Sequence, residues 1–212
     1  MAAGGSGRRS GSVGPKQFLD LGDRPVFRWA LDDLLTGGCR RVVCVFPGSH
    51  IDSARRLTSD LPVQLVEGGE TRQESVLNAL LEVEDSRVVV HDAARPLAGS
   101  DLVGLVIGTL GDADACVPVV AVGETVKRVA DGRIAETVSR DRLVVAQTPQ
   151  AFATERLVAA HRRAQTEGVA VTDDAELIER YGGVVTVVEG SRRNLKLTFP
   201  EDLSVAEAMI RR

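Results

Sequence analysis

Arg87-Val88-Val89-Val90-His91-Asp92-Ala93-Ala94-Arg95-Pro96 is the stretch on which the fold class turns. Its valine run is too short for a helix and apolar at every position, which is the pattern of a strand covered on both faces. The run stops on a carboxylate. In an open α/β sheet such a carboxylate stands at the C-terminal edge of the strands, where ligands bind. Asp92 is therefore a candidate ligand for Mg²⁺, an ion that favours one or two carboxylates together with substrate phosphates. A turn or helix-capping aspartate is the competing reading. His91 reads as a packed or hydrogen-bonded histidine with no chemical role.

Working outward, similar β-branched runs occur at Arg41–Phe46, Val63–Val66, Ala115–Val119 and Val184–Val188. Segments of helical period lie between them: Val26–Leu35, Ser49–Ser59, Arg72–Leu81, Asp101–Leu110, Thr154–Glu167, Asp173–Tyr181 and Pro200–Arg211. Strand and helix in alternation predict an α/β fold, a doubly wound and mostly parallel sheet, in one domain over residues 1–212. Residues 123–142 break the pattern. Glu124–Val129, the turn pair Asp131-Gly132 and Ile134–Val138 read as a β-hairpin arm projecting from the domain. An arm with an unpaired edge suits a second subunit, so a homodimer is expected.

Bulk properties exclude other classes. With 43% apolar and 26% charged residues the chain is neither disordered nor fibrous. A net charge of −4 gives no general attraction to nucleic acid or an anionic membrane, so any phosphate must be met by cations gathered locally. No apolar run reaches the roughly 18 residues that span a bilayer, and the start carries no secretory h-region. Cys39, Cys44 and Cys116 lack metal-ligand spacing and read as buried thiols. A cytoplasmic protein is expected.

The N-terminal stretch Ala3-Gly4-Gly5-Ser6-Gly7-Arg8-Arg9, followed by Gly14-Pro15-Lys16-Gln17, can bring backbone N–H groups onto a polyphosphate. Arg9 and Lys16 would supply fixed charge where negative charge grows in phosphoryl transfer. Composition alone equally allows a disordered tail. A dinucleotide fingerprint from Gly5 would need glycine at position 10, which is Ser10, and no Gly-Lys-Ser/Thr phosphate loop occurs. Almost nothing precedes Ala3, so the strand that ordinarily leads into such a loop is expected to be missing from the sequence or from the sheet. Lys196, in Asn194-Leu195-Lys196-Leu197-Thr198, reads as a surface lysine on an alternating, edge-like strand.

Taken in order, several segments resemble the 2-C-methyl-D-erythritol 4-phosphate cytidylyltransferases of the non-mevalonate isoprenoid pathway. They are the glycine loop with Arg9 and Pro15-Lys16-Gln17, Gly68-Gly69 with Arg72 and Ser75, and His91–Pro96. Further on come Glu124–Arg128, Gln147–Phe152, Thr172-Asp173-Asp174-Ala175, and Asn194–Thr198 with Pro200–Leu203. Together they span nearly the whole chain. The resemblance implies a Rossmann-like nucleotidyltransferase that joins CTP to a small polyol phosphate with Mg²⁺ and releases pyrophosphate.

It also implies roles. Arg9 and Lys16 match the pair that stabilises the transition state at the α-phosphorus. Ala3, Gly4, Gly5, Ser6 and Gly7, with Gly69, Glu70 and Ser75, match the part that recognises cytosine. Asp92 matches a residue near the ribose, phosphates and metal. Arg95, Thr125, Thr148, Thr172 and Lys196 match the acceptor pocket, with Lys196 also among the catalytic cations. Arg140 matches an arginine supplied across the dimer interface to the acceptor phosphate. Gly4 departs from the usual Ala-Ala-Gly loop and is similar to the related ribitol-5-phosphate cytidylyltransferases. Thr125-Val126-Lys127 and Thr172–Ala175 look more like the methylerythritol enzymes. Ribitol 5-phosphate as acceptor, and a non-catalytic CTP-binding relative, are the alternatives.

Overall fold

The computed structural model describes residues 1–3 and 15–211. Strands β3 (Val42–Phe46) and β4 (Val63–Glu67) pair in parallel. A second group has the order β11 (Val185–Glu189), β6 (Ala115–Ala121), β10 (Gln150–Ala153) and β5 (Arg87–Val90). β11 runs parallel to β6, whereas β10 runs antiparallel to both of its neighbours, β5 and β6. β9 (Val144–Ala146) extends the β10 side of the sheet by pairing with the far end of β6.

The two groups meet through the first residues of the chain. Ala2 bridges Val45 on one side and Asp92 on the other, parallel to both. Its amide donates to the His91 carbonyl at 2.8 Å, and the Ala3 amide donates to Val45 at 3.0 Å. Met1–Ala3 occupy the position ahead of the glycine loop through isolated bridges at Ala2, with no strand formed among these three residues. Below them a cleft of about 310 Å³ separates β3 from β5, lined among others by Val43, Val88, Leu34, Ile107 and Leu110. The Met1 ammonium is buried at its rim and donates to the Val43 carbonyl at 2.6 Å.

Helices cover both faces, as a doubly wound sheet requires. α1 (Val26–Thr36) and α4 (Ser100–Thr109) pack together with β3 in one core that includes Phe27, Leu31, Phe46 and Val103. α3 (Arg72–Leu80), α5 (Thr154–Glu167) and α6 (Asp174–Arg180) share the other, around Val76, Phe152, Leu157 and Leu177. α2 (Ile51–Leu57) lies against β4. α7 (Glu201–Ile210) contributes Ala206 to a smaller cluster with Leu21 and Val26, beside the short ladder of β1 (Asp20–Leu21) and β2 (Arg24–Pro25).

The arm is as the sequence predicts. β7 (Val126–Ala130) pairs with β8 (Arg133–Val138) across Asp131 and Gly132, which take φ of 50° and 72°. Two successive positive φ values are what a tight hairpin turn needs, and Asp-Gly reaches them at little cost. Val129 and Ile134 on the arm and Val144 and Val145 on β9 remain more than half exposed.

Two expectations are corrected. Leu195–Thr198 does not form a strand: Leu197 donates one hydrogen bond to the Ala94 carbonyl, and Thr198 donates to Asp202 Oδ2. Alternation there reflects one buried leucine beside the loop after β5, not a ladder. Cys44 and Cys116 are buried, but Cys39 is only half-buried. No helix among the described residues is long and apolar enough to cross a membrane.

Candidate active site

The site is built where β5 ends. The valine run delivers Asp92 to the sheet's C-terminal edge, with 7% of its surface exposed. Three cations approach it from separate parts of the chain. Lys196 Nζ lies 2.7 Å from Oδ2, Arg72 Nε lies 3.2 Å from Oδ1, and Arg95 Nε lies 3.9 Å from Oδ2. Burial opposes ionisation of Asp92, but the charges of Arg72, Lys196 and Arg95 outweigh it, so the carboxyl is held well below the usual carboxylate range.

A directional hydrogen-bond chain sets the backbone at this point. The Asp92 amide donates to Thr148 Oγ1 at 3.0 Å, and that oxygen lies 2.9 Å from His91 Nδ1. His91 Nε2 lies 3.2 Å from the Arg95 carbonyl, which can only accept. The consistent assignment has the threonine hydroxyl donating to Nδ1 and Nε2–H donating to Arg95. His91 is then neutral, and burial pushes its pKa down to about 4. This histidine supports the turn that carries Asp92 and Arg95, in keeping with the sequence reading that gave it no chemical step.

Arg95 is nine-tenths buried. Its Nη1 donates to the Asn194 carbonyl at 2.8 Å, while its Nε makes no hydrogen bond among the described residues. Asn194 Nδ2 in turn donates to the Thr148 carbonyl at 2.8 Å, tying the Lys196 segment to the Thr148 segment. Burial lowers the Arg95 pKa, yet the neighbouring Asp92 favours its charge.

Ala3, the first residue of the predicted glycine loop, is buried beside Ala2, which bridges Asp92. Gly4, Gly5, Ser6, Gly7 and Arg9 lie outside the described residues. Lys16 opens a short 3-10 turn, Lys16–Phe18. That turn is returned to the same sheet edge by Gln17, whose Nε2 donates to the Ala3 carbonyl at 2.5 Å. Phe18 anchors it further, with ring centroids 5.4 Å from Phe27 and 5.3 Å from Phe46.

Gly69 and Glu70 lead into α3, where Thr71 and Glu74 form a reciprocal capping box. A Cβ on Gly69 would collide with that of Glu74, so the close approach requires glycine. Ser75 is buried, and its hydroxyl donates to the Thr71 carbonyl at 2.8 Å. Thr172 uses both its amide and its hydroxyl to reach Glu176 Oε2.

Asp92, Arg95, Thr148 and Lys196 are therefore in one cluster, with the α3 N-terminus joined to it through Arg72. Thr125 and Arg140 are not. Thr125 is exposed just ahead of β7, and Arg140 is exposed and donates to the Gly123 carbonyl at the base of the arm. Sequence reasoning gave no role to Arg72 or to Asp174, whose Oδ2 lies 2.8 Å from Arg72 Nη2. The only advance signals were their places in the segments Gly68–Ser75 and Thr172–Ala175. Three cations facing two carboxylates leave the cluster net positive, which suits an anionic ligand at a strand edge.

The family model for 2-C-methyl-D-erythritol 4-phosphate cytidylyltransferase matches residues 1–212. The chain belongs to that family. A relative from Aquifex aeolicus bearing that name is 40% identical over 210 residues, covering 99% of this chain and 95% of its own. One from Gloeobacter violaceus is 40% identical over 221 residues, covering 100% and 94%. The crystal structure of the enzyme of that name from Thermus thermophilus superposes with a TM-score of 0.84 at 34% identity, over 95% of this chain and 96% of that one. The shared fold is the Rossmann-like nucleotidyltransferase architecture that the resemblance implied, on the α/β sheet that strand–helix alternation predicted.

Proposed function

We propose that this chain transfers the cytidylyl group of CTP to 2-C-methyl-D-erythritol 4-phosphate, releasing pyrophosphate. The observation that carries this reading is the convergence of Arg72, Arg95 and Lys196 on Asp92 at the sheet's C-terminal edge, in a chain of this family. The acceptor phosphate is ionised near neutral pH and needs no general base. One of its oxygens forms a bond to the α-phosphorus, and the bond from that phosphorus to the bridging oxygen of pyrophosphate breaks. Two anions must be brought together, so the chemistry rests on alignment and charge.

Arg95 and Lys196 are suited to the acceptor phosphate, and the buried Nε–H of Arg95, which makes no hydrogen bond among the described residues, offers it a donor. Thr125, Thr148 and Thr172 belong to the acceptor side of the reading. Lys16, with Arg9, would meet the charge growing at the α-phosphorus. Ala3 to Gly7, Gly69, Glu70 and Ser75 form the cytosine side. Arg140 would serve the partner's acceptor phosphate in a homodimer held by the arm, which the exposed Val129, Ile134, Val144 and Val145 support.

The donor set suits Mg²⁺ carried on CTP. One carboxylate, Asp92, stands at the phosphate edge, and no group of three or more metal-ligating side chains occurs among the described residues. An ion held mainly by substrate phosphates needs no more than this. Asp92 would hold it, and the charge it supplies would ease departure of pyrophosphate. The test is to incubate the protein with CTP, Mg²⁺ and the acceptor and identify the cytidine diphosphate-linked product by mass. Absence of that product from folded, dimeric protein would refute the assignment.

A further inference from the structure

Asp174, the first residue of α6, is 1% exposed and has two carboxylate oxygens to satisfy away from water. Its Oδ1 lies 3.1 Å from Nε2 of the equally buried His161 on α5. Its Oδ2 makes an ion-pair contact of 2.8 Å with Arg72 Nη2, off the line of a well-aligned hydrogen bond. Arg72 donates its Nε–H to Asp92 Oδ1 at 3.2 Å. One guanidinium thus spans two carboxylates, one deep between helices and one in the active site.

The neighbouring residue reinforces the same junction. Gln73 Nε2 donates to the Val169 carbonyl at 3.1 Å, and the Val171 amide donates to Gln73 Oε1 at 3.2 Å. The first two residues of α3 therefore grip the segment between α5 and α6 that carries Thr172. Without Asp174, a partly exposed arginine would be free to close both arms of its fork onto Asp92, the geometry that guanidinium and carboxylate prefer. Asp92 would then be more fully neutralised and turned away from Lys196.

We propose that Asp174 is a positioning residue for cytidylyl transfer: it holds Arg72 at a fixed distance from Asp92, so that the Asp92 carboxylate stays shared between Arg72 and Lys196 and directed at the nucleotide phosphates. The inference rests on the proposed reaction, and it assigns no contact between Asp174 and substrate. His161 supports the far oxygen and sets the carboxylate's orientation. Burial works against the charge of Asp174, but the hydrogen bond from His161 and the charge of Arg72 keep it ionised.

The test is a double-mutant cycle with Asp174→Asn and Arg72→Gln, read on kcat/KM and on CTP affinity by calorimetry. Each single variant is expected to lose about 10–100-fold in kcat/KM, the usual effect of removing a residue that orients a ligand. The double variant is expected to be no worse than Arg72→Gln alone, because Asp174 acts through Arg72. Losses that multiply would overturn the proposal, since a merely structural role would add to that of Arg72. Should Asp174→Asn fail to fold, Arg72→Lys serves: it keeps the charge but not the fork, and full turnover in that variant would also overturn the proposal. Lack of turnover in the parent protein would refute the reaction alone, and the cycle on CTP affinity would still decide the role of Asp174.

Discussion

Lys196 Nζ stands 2.7 Å from Asp92 Oδ2, although 104 residues separate the two in sequence. The contact joins the loop before α7 to the end of β5, and it does so beside Arg95. Asp92 is buried while the Lys196 side chain is 46% exposed, so the lysine can exchange the carboxylate for an incoming phosphate without unfolding anything.

Replacing Lys196 with Met should therefore cost turnover far more than stability. A charge acting on a transferring phosphoryl group is worth roughly 100–1,000-fold in rate, whereas a half-exposed ion pair contributes about 0–1 kcal/mol to folding. Steady-state pyrophosphate release and urea unfolding on the same preparation check both halves. Turnover within about twofold of the parent, far short of that effect, would remove Lys196 from the chemistry.

Stability should fall in mildly acidic solution because of His91. In the unfolded chain this ring takes up its proton near 6.5, and in the folded protein only near 4. Between those values the unfolded state binds more protons, so stability is lost as pH drops from about 6.5 towards about 4. The loss from this one group is at most roughly 3 kcal/mol. Protonation would place a second N–H against Thr148, which already accepts from the Asp92 amide. Unfolding midpoints of the parent and of His91→Gln across this range are the measurement; curves of identical slope would refute the assignment.

The cleft beside Met1 should reward filling. It is largely apolar, about 310 Å³, and holds a buried ammonium at its rim. Adding Val-Val-Ala ahead of Met1 would replace that ammonium with a peptide N–H and place apolar side chains between β3 and β5. Each valine buried is worth about 1.5–3 kcal/mol before ordering costs, and each net kcal/mol raises Tm by about 2–4 °C at this chain length. An Asp-Lys-Asp extension should give no such gain. Equal melting temperatures for the two extensions would show that the cleft does not accept a strand.

Arg140 should act across subunits. Within one chain it donates to the Gly123 carbonyl and does not join the Asp92 cluster. Arg140→Ala and Lys16→Ala, each inactive alone, should regain about a quarter of parental activity when mixed and re-equilibrated, because about half of randomly paired dimers are then mixed and each carries one site with both residues intact. No recovery in verified mixed dimers would place Arg140 outside a shared site.

Much of this architecture was legible because buried parallel strands and amphipathic helices leave different periods in sequence. The run Val88–Val90, the helix Thr154–Glu167 and the Asp131-Gly132 turn each stand where pattern put them. β10 escaped, since Gln150-Ala151-Phe152-Ala153 is short, begins on a buried glutamine just after Pro149, and owes its place to pairing on both edges. Leu195–Thr198 misled for the opposite reason: one leucine covering a cluster imitates strand alternation. In the site, Asp92 was visible from the strand it ends. Arg72 and Asp174 were not, because each is an ordinary helix-start residue until the fold brings α3 against the α5–α6 junction.

Cytidylyl transfer is tested most directly by pyrophosphate release from CTP and Mg²⁺ with 2-C-methyl-D-erythritol 4-phosphate, with ribitol 5-phosphate, or with no acceptor. Strong release is expected with the methylerythritol phosphate and little with the other two. Preferred use of ribitol 5-phosphate would contradict the acceptor assignment, and silence with both acceptors in folded protein would contradict cytidylyl transfer itself.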